Sequence, residues 1–264
     1  MTVWVGLSLS MLGCNRPKQP SPVHVLTATS LAPEVRALAA EFQSRSGIEV
    51  VVVSGSSNSL VTQMVSGAPA DIFISAHPQW IKELAKQGPA LTSDRIASNR
   101  LLLAAEVGNP SQIEGPEDLL GAKVQRVGIG GPGVPVGDYA REYLKSIDLK
   151  DDLRYGGKLI YAPDAATLST WLARGEIDAA FIFASDRKLN PCEVITVAPS
   201  SSHAPIVYRL VMLEREGSLA AAKSFRDFIC SDHAQAQFER AGYCLLYTSP
   251  SPRDQRGSRM PSSA

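Results

Sequence analysis

Apolar and polar positions along this chain switch repeatedly between a strand-like and a helix-like period. Val23–Ala28 and Glu49–Ser54 read as strands, and Pro33–Ser46 between them repeats its apolar positions at helical spacing, with Pro33 suited to a first turn. The exchange continues through helix Ser57–Val65, strand Asp71–Ser75 and helix Gln79–Lys86. A second set begins near Arg100: strand Leu101–Glu106, short helix Pro116–Leu120, strand Val124–Ile129, helix Pro135–Ile147, strand Lys158–Ala162, helix Ala165–Arg174 and strand Asp178–Ala184. Strands Val194–Ala198 and Ile206–Leu213 follow, and helices Leu219–Cys230 and Asp232–Ala241 close the pattern. Strands separated by helices imply right-handed βαβ units and parallel pairing. The number of strands predicts an α/β protein of two lobes, each a central, mostly parallel sheet flanked by helices.

Lobes of this kind bind ligands beyond the carboxyl ends of their strands, so the strand-to-helix loops are the candidate chemistry. The most informative is Val50-Val51-Val52-Val53-Ser54-Gly55-Ser56-Ser57-Asn58-Ser59-Leu60, where a β-branched run delivers three serines and an asparagine to a helix start. A helix start presents unpaired N–H groups and a partial positive charge, which suits an anion. The simpler reading is that Ser56 or Ser57 only caps the helix. Three further loops share this design: Thr27-Ala28-Thr29-Ser30-Leu31, Gly130 to Tyr139, and Ala162-Pro163-Asp164-Ala165-Ala166-Thr167-Leu168. None of the four carries a lysine or arginine. Together they predict a cage of neutral donors.

Composition narrows the classes. The chain has 264 residues, 44% hydrophobic and 20% charged, enough for well-buried cores and too apolar for a disordered chain. Basic and acidic residues number 26 each, with no basic run, which argues against a nucleic-acid surface. Val3–Leu12 is apolar but too short to span a bilayer, and reads as an export signal. It leads into Ser10-Met11-Leu12-Gly13-Cys14, which resembles a bacterial lipoprotein lipobox, with Cys14 as the lipidated residue. Residues 1–22 are therefore expected to be a signal and a polar, Pro-rich tether. At the other end, Cys244 to Asp254 and Arg259 to Ala264 resemble a translated sequencing adapter, so 244–264 is set apart as an assembly scar. Cys192 and Cys230 remain, either as a disulfide or as two thiols.

A resemblance then becomes specific. Ser54–Ser59 with Ser66-Gly67-Ala68-Pro69-Ala70-Asp71-Ile72-Phe73-Ile74-Ser75-Ala76 resembles the molybdate-binding proteins of bacterial molybdate ABC transporters. Val134-Pro135-Val136-Gly137-Asp138-Tyr139-Ala140 is similar to that family's V-P-A-G-x-Y-A segment, and Gly175 to Asp186 to its G-E-A-D-A-G-I-V-Y-x-S/T-D segment. The resemblance runs from about Val23 to Tyr243. It implies a two-lobed periplasmic-binding-protein fold with the ligand cleft between lobe I (23–99 plus 203–243) and lobe II (100–202), and hinge strands near Arg100 and Ser202. It implies a monomer that captures molybdate or tungstate and presents it to a membrane permease, with Cys14 as the membrane anchor. It requires no cofactor and no bound metal cation. By position in the motifs, it implies hydroxyl donors at Ser30 and Ser57 and backbone donors at Val136 and Ala165. The family tyrosine falls on Phe183, which has no hydroxyl. Losing that donor bears on affinity and on the choice among tetrahedral oxyanions, sulfate included.

Other motifs lack their context. Gly128-Ile129-Gly130-Gly131-Pro132-Gly133 matches G-x-G-x-x-G, but Pro132 and Pro135 interrupt it and no acidic residue ends the next strand. Ser185-Asp186-Arg187-Lys188 matches S-x-x-K without its companion motifs. The four histidines, His24, His77, His203 and His233, show no metal-ligand spacing. A serine hydrolase using Ser30 or Ser57 would need His77 as its base.

Overall fold

The computed structural model describes residues 21–86, 92–215 and 217–244. Residues 1–20 of the expected signal and tether, with Cys14, and residues 245–264 of the expected scar lie outside the described residues.

The first strands form where the sequence places them, as β1 (Val23–Ala28), β2 (Val50–Gly55) and β3 (Ile72–Ser75). Between them lie α1 (Ala32–Ser46) and α2 (Ser57–Val65), and α3 (Pro78–Ala85) follows β3. Gly47 stops α1 in a left-handed conformation at φ 72°, with its N–H bonded to Gln43 O at 2.9 Å, the usual way to satisfy a helix's last carbonyls. Next comes β4 (Thr92–Ser98), a strand the sequence pattern does not announce. Its residues are mostly polar because it is an edge, paired on one side only.

The chain then crosses into the second lobe. There it forms β5 (Leu101–Ala105), β6 (Val127–Gly130), α4 (Pro135–Ser146), α5 (Lys150–Tyr155), β7 (Leu159–Ala162), α6 (Ala165–Ala173), β8 (Ala179–Phe183) and β9 (Glu193–Val197). A second crossing returns it as β10 (Val207–Met212), followed by α7 (Leu219–Ile229) and α8 (Asp232–Arg240). Segment 116–120 is a 3₁₀ turn.

The two sheets have orders β2-β1-β3-β10-β4 and β7-β6-β8-β5-β9. In each, four strands share one direction and one is reversed: β10 runs antiparallel to β3 and β4, and β5 to β8 and β9. The reversed strand is the first one formed after each crossing. Each sheet thus combines two parallel with two antiparallel pairings, and the crossings fall at Asn99–Arg100 and between Ala198 and Ile206.

Lobe II has one large core around Leu103, Tyr139, Leu168 and Phe181. Lobe I buries one face of its sheet against α1, α7 and α8, and the other against α2 and α3. Asp71, in the motif string that precedes β3, is fully buried and holds this end of lobe I together. It accepts from Arg215 Nε at 2.7 Å, from the His24 N–H at 2.7 Å and from the Ser218 hydroxyl. Burial alone would raise its pKa, but these donors outweigh it and hold the carboxylate below its ordinary value. Cys192 and Cys230 are free thiols. The backbone of Cys244 forms an antiparallel bridge with Ser98, so ordered pairing reaches one residue past Tyr243.

Candidate functional site

Four strand ends face one another across the cleft. In lobe I, β1 runs into a 3₁₀ turn at Thr29–Leu31, and β2 into α2 through Ser56. In lobe II, β6 leads to α4 through Val134, and β7 to α6 through Asp164. The result is a small cavity between the strand ends of the two lobes. Lobe I lines it with Ala28, Thr29, Ser30, Gly55, Ser56, Ser57 and Ala76; lobe II with Val134, Pro135, Val136, Ala165 and Phe183. All five residues expected from the sequence, Ser30, Ser57, Val136, Ala165 and Phe183, line this one cavity.

The lining carries no ionisable side chain. What it offers is polar hydrogens. Val136 and Ala165 lie in the first turns of α4 and α6, where an N–H has no carbonyl four residues back to bond. The aligned peptides of α2, α4 and α6 add partial positive charge at the same place. Ser56 is the N-cap of α2, yet no side chain caps that helix, so the simpler reading of Ser56 and Ser57 does not describe this turn. Ser57 is fully buried, and its Oγ accepts the Ala76 N–H at 3.2 Å. An oxygen that accepts from the protein keeps its own hydrogen for something else.

Local sequence explains how the wall is built. Gly137 brings α4 down onto the end of β6, because a Cβ there would lie 2.0 Å from Gly130 O. That close approach is what seats Val136 at the cavity. Across the cleft the lobes touch: Tyr139 OH donates to Ala76 O at 3.1 Å, and Trp80 Nε1 donates to Gly133 O at 3.0 Å. Phe183 is 1% exposed, with Tyr139 and Tyr208 ring centroids at 6.4 and 6.3 Å.

His77 is not a base for either serine. Its Nδ1 accepts the Gln79 N–H at 3.2 Å and so caps α3. Burial lowers its pKa, against the opposing pull of Asp138 and Glu142, which favours the neutral ring. Behind the wall, Asp186 accepts the Phe183 N–H at 3.0 Å. Burial pushes its carboxyl up to about 8, reinforced by Glu34 and Asp164. No group of three or more metal-ligating side chains occurs among the described residues.

Sequence reasoning did not single out Ala76, Tyr139 or Tyr208. Ala76 closes the most specific motif string and Tyr139 stands in another, so both carried a signal. Tyr208 carried none, being one aromatic residue in an apolar strand.

A two-lobed protein with a donor-lined cavity at the carboxyl ends of its strands belongs to the solute-binding class, and the whole-chain comparison agrees. Over residues 23–244 the chain matches the bacterial extracellular solute-binding proteins, and it belongs to that family. The family captures solutes and is not enzymatic. Several relatives are named molybdate-binding proteins: that of Escherichia coli (strain K12) is 26% identical over 258 residues, covering 93% of this chain and 98% of its own. A Bacillus subtilis (strain 168) protein, named as an ABC transporter substrate-binding lipoprotein, is 29% identical over 196 residues, 72% of this chain and 73% of its own. The solved periplasmic molybdate-binding protein of Azotobacter vinelandii superposes with a TM-score of 0.75 at 25% identity, covering 85% of this chain and 99% of that one.

Proposed function

We propose that this protein captures molybdate or tungstate outside the cytoplasm and delivers it to an ABC importer's permease. The supporting observation is a cavity walled by both lobes, lined by Thr29, Ser30, Ser56 and Ser57 and by helix-start residues of lobe II, with no charged side chain. A tetrahedral dianion has acceptors on every side and no hydrogen to donate, so a cage of donors matches it. Neutral donors suit a ligand that must be released, since a fixed cation would add attraction without direction. In this reading Ser30 and Ser57 donate through hydroxyls, Val136 and Ala165 through backbone N–H groups, and Phe183 closes one side with apolar surface. The lobes hold the anion between them in the closed arrangement. A lipid on Cys14 keeps a monomeric protein near its permease.

The test is calorimetric titration of the protein with molybdate, tungstate, sulfate and phosphate. Heat and a raised melting temperature at micromolar molybdate or tungstate are expected. Binding of sulfate alone would move the assignment to another tetrahedral oxyanion, and no response to any of the four would reject the oxyanion reading.

A further inference from the structure

Ser30 Oγ lies 2.8 Å from the Tyr208 hydroxyl on β10, and distance alone leaves either one as donor. The count of hydrogens on the next residue decides it. Asn99 sits on the first crossing, nearly buried. The Arg100 N–H donates to Asn99 Oδ1 at 2.9 Å, which fixes the oxygen end of the amide, because an N–H cannot accept. The nitrogen end donates to Tyr208 OH at 3.2 Å and to Ser185 Oγ in lobe II at 2.9 Å. The phenol oxygen thus accepts from Asn99, and its single hydrogen goes to Ser30 Oγ. Ser30 accepts in turn, and its own hydrogen is left for the cavity it lines.

We propose that Asn99 and Tyr208 form a one-way donor relay that turns the Ser30 hydroxyl toward the bound oxyanion, making both positioning residues for the site. The inference rests on the oxyanion reading of the cavity. Tyr208 is fully buried, and burial, with Asp186 nearby, drives its phenol far above the ordinary value, so it keeps its hydrogen at every working pH. Phe183 offers no hydroxyl at this end of the cavity; polarity arrives there from the hinge side, through Tyr208. The relay also senses the lobes. Asn99 donates its backbone N–H to Ile206 O on the second crossing at 3.1 Å and its side chain to Ser185 of lobe II. Opening that separates Asn99 from Ser185 removes one of the two acceptors on the amide nitrogen, so the relay is braced from lobe II only when the lobes are closed.

The experiment is a double-mutant cycle on the full chain, titrated with sodium molybdate, with each variant's unliganded melting curve recorded beside it. Tyr208→Phe and Ser30→Ala should each weaken binding by about tenfold, and the double variant should be no weaker than Ser30→Ala alone. Asn99→Asp keeps the shape but accepts where Asn99 donated, which reverses the relay. It should also weaken binding about tenfold, and should have no further effect when Ser30 is already alanine. Unchanged affinity in Tyr208→Phe, or losses that multiply in the double variants, would overturn the relay while leaving the oxyanion site standing. If Tyr208→Phe does not fold, the Asn99→Asp arm decides by the same criteria. Failure of the unmodified chain to bind any oxyanion would instead overturn the reading on which the relay rests.

Discussion

Replacing Ser57 with alanine separates a ligand donor from a structural hydroxyl. The side chain is fully buried, and its Oγ accepts the Ala76 N–H at 3.2 Å. Ser57→Ala therefore removes two interactions. The first, on the proposed donor role, is the hydrogen bond to the anion, a charge-assisted bond of about 1.5–3 kcal/mol. At about 1.4 kcal/mol per tenfold, that is a rise in Kd of about 10- to 150-fold. The second is the acceptor for Ala76, whose buried N–H is left unpaired at about 1–3 kcal/mol of unliganded stability. For a protein of this size, about 2–4 °C per kcal/mol translates that into a melting temperature lower by about 2–12 °C. Calorimetric titration with molybdate measures the first quantity, and scanning calorimetry without ligand the second. Ser59→Ala is the control, since Ser59 Oγ bonds Ser56 O at 3.0 Å in the same helix and does not line the cavity. Its Kd should stay within about threefold, well under 1.4 kcal/mol. A Ser57→Ala protein that melts lower yet binds molybdate as tightly as before would refute the donor assignment.

Three other outcomes are expected. Phe183→Tyr restores a hydroxyl at the cavity wall and should tighten molybdate binding by up to about tenfold; equal or weaker binding in the same titration means the wall gains nothing from a donor there. Gly137→Ala puts a methyl 2.0 Å from Gly130 O, so α4 must shift and carry Val136 with it. Chemical denaturation should show a loss of about 1–3 kcal/mol, together with weakened binding. Asp186 is held protonated to about pH 8, whereas an unfolded aspartate releases its proton near 3.8, so the folded state binds the extra proton between those values. Stability from this group is then full below pH 3.8, falls as pH rises and levels off above 8; Asp186→Asn should flatten that slope in melting curves recorded across the range.

Much of the site was legible because it is made of local features. A strand end, a small turn and a helix start lie within a few residues of one another, so Ser57–Val65 could be read as α2 and Ser30, Ser57, Val136 and Ala165 as candidates, once motif resemblance said which loops belong together. What was not legible depends on pairing across long sequence separations. β4 is mostly polar because it is an edge, and only β10, more than a hundred residues later, makes it a strand. Tyr208 is 178 residues from Ser30, and nothing in its neighbourhood signals that its hydroxyl ends against that of Ser30. Gly137 appeared only as a motif letter, and its reason, a backbone that α4 almost touches, exists only in three dimensions.

The strand order of lobe I also sets an order of assembly. Lobe II comes from one uninterrupted stretch and has all its strands by Val197, but β10 lies between β3 and β4 in the other sheet. A chain made from its N-terminus therefore completes its second lobe before its first, reversing the usual sequence of domain folding. Until Val207–Met212 emerges, β4 has no neighbour in its sheet and the apolar faces of β1 and β3 lack α7 and α8. A chain built this way postpones the closure of its first lobe until β10 and the two helices after it have emerged.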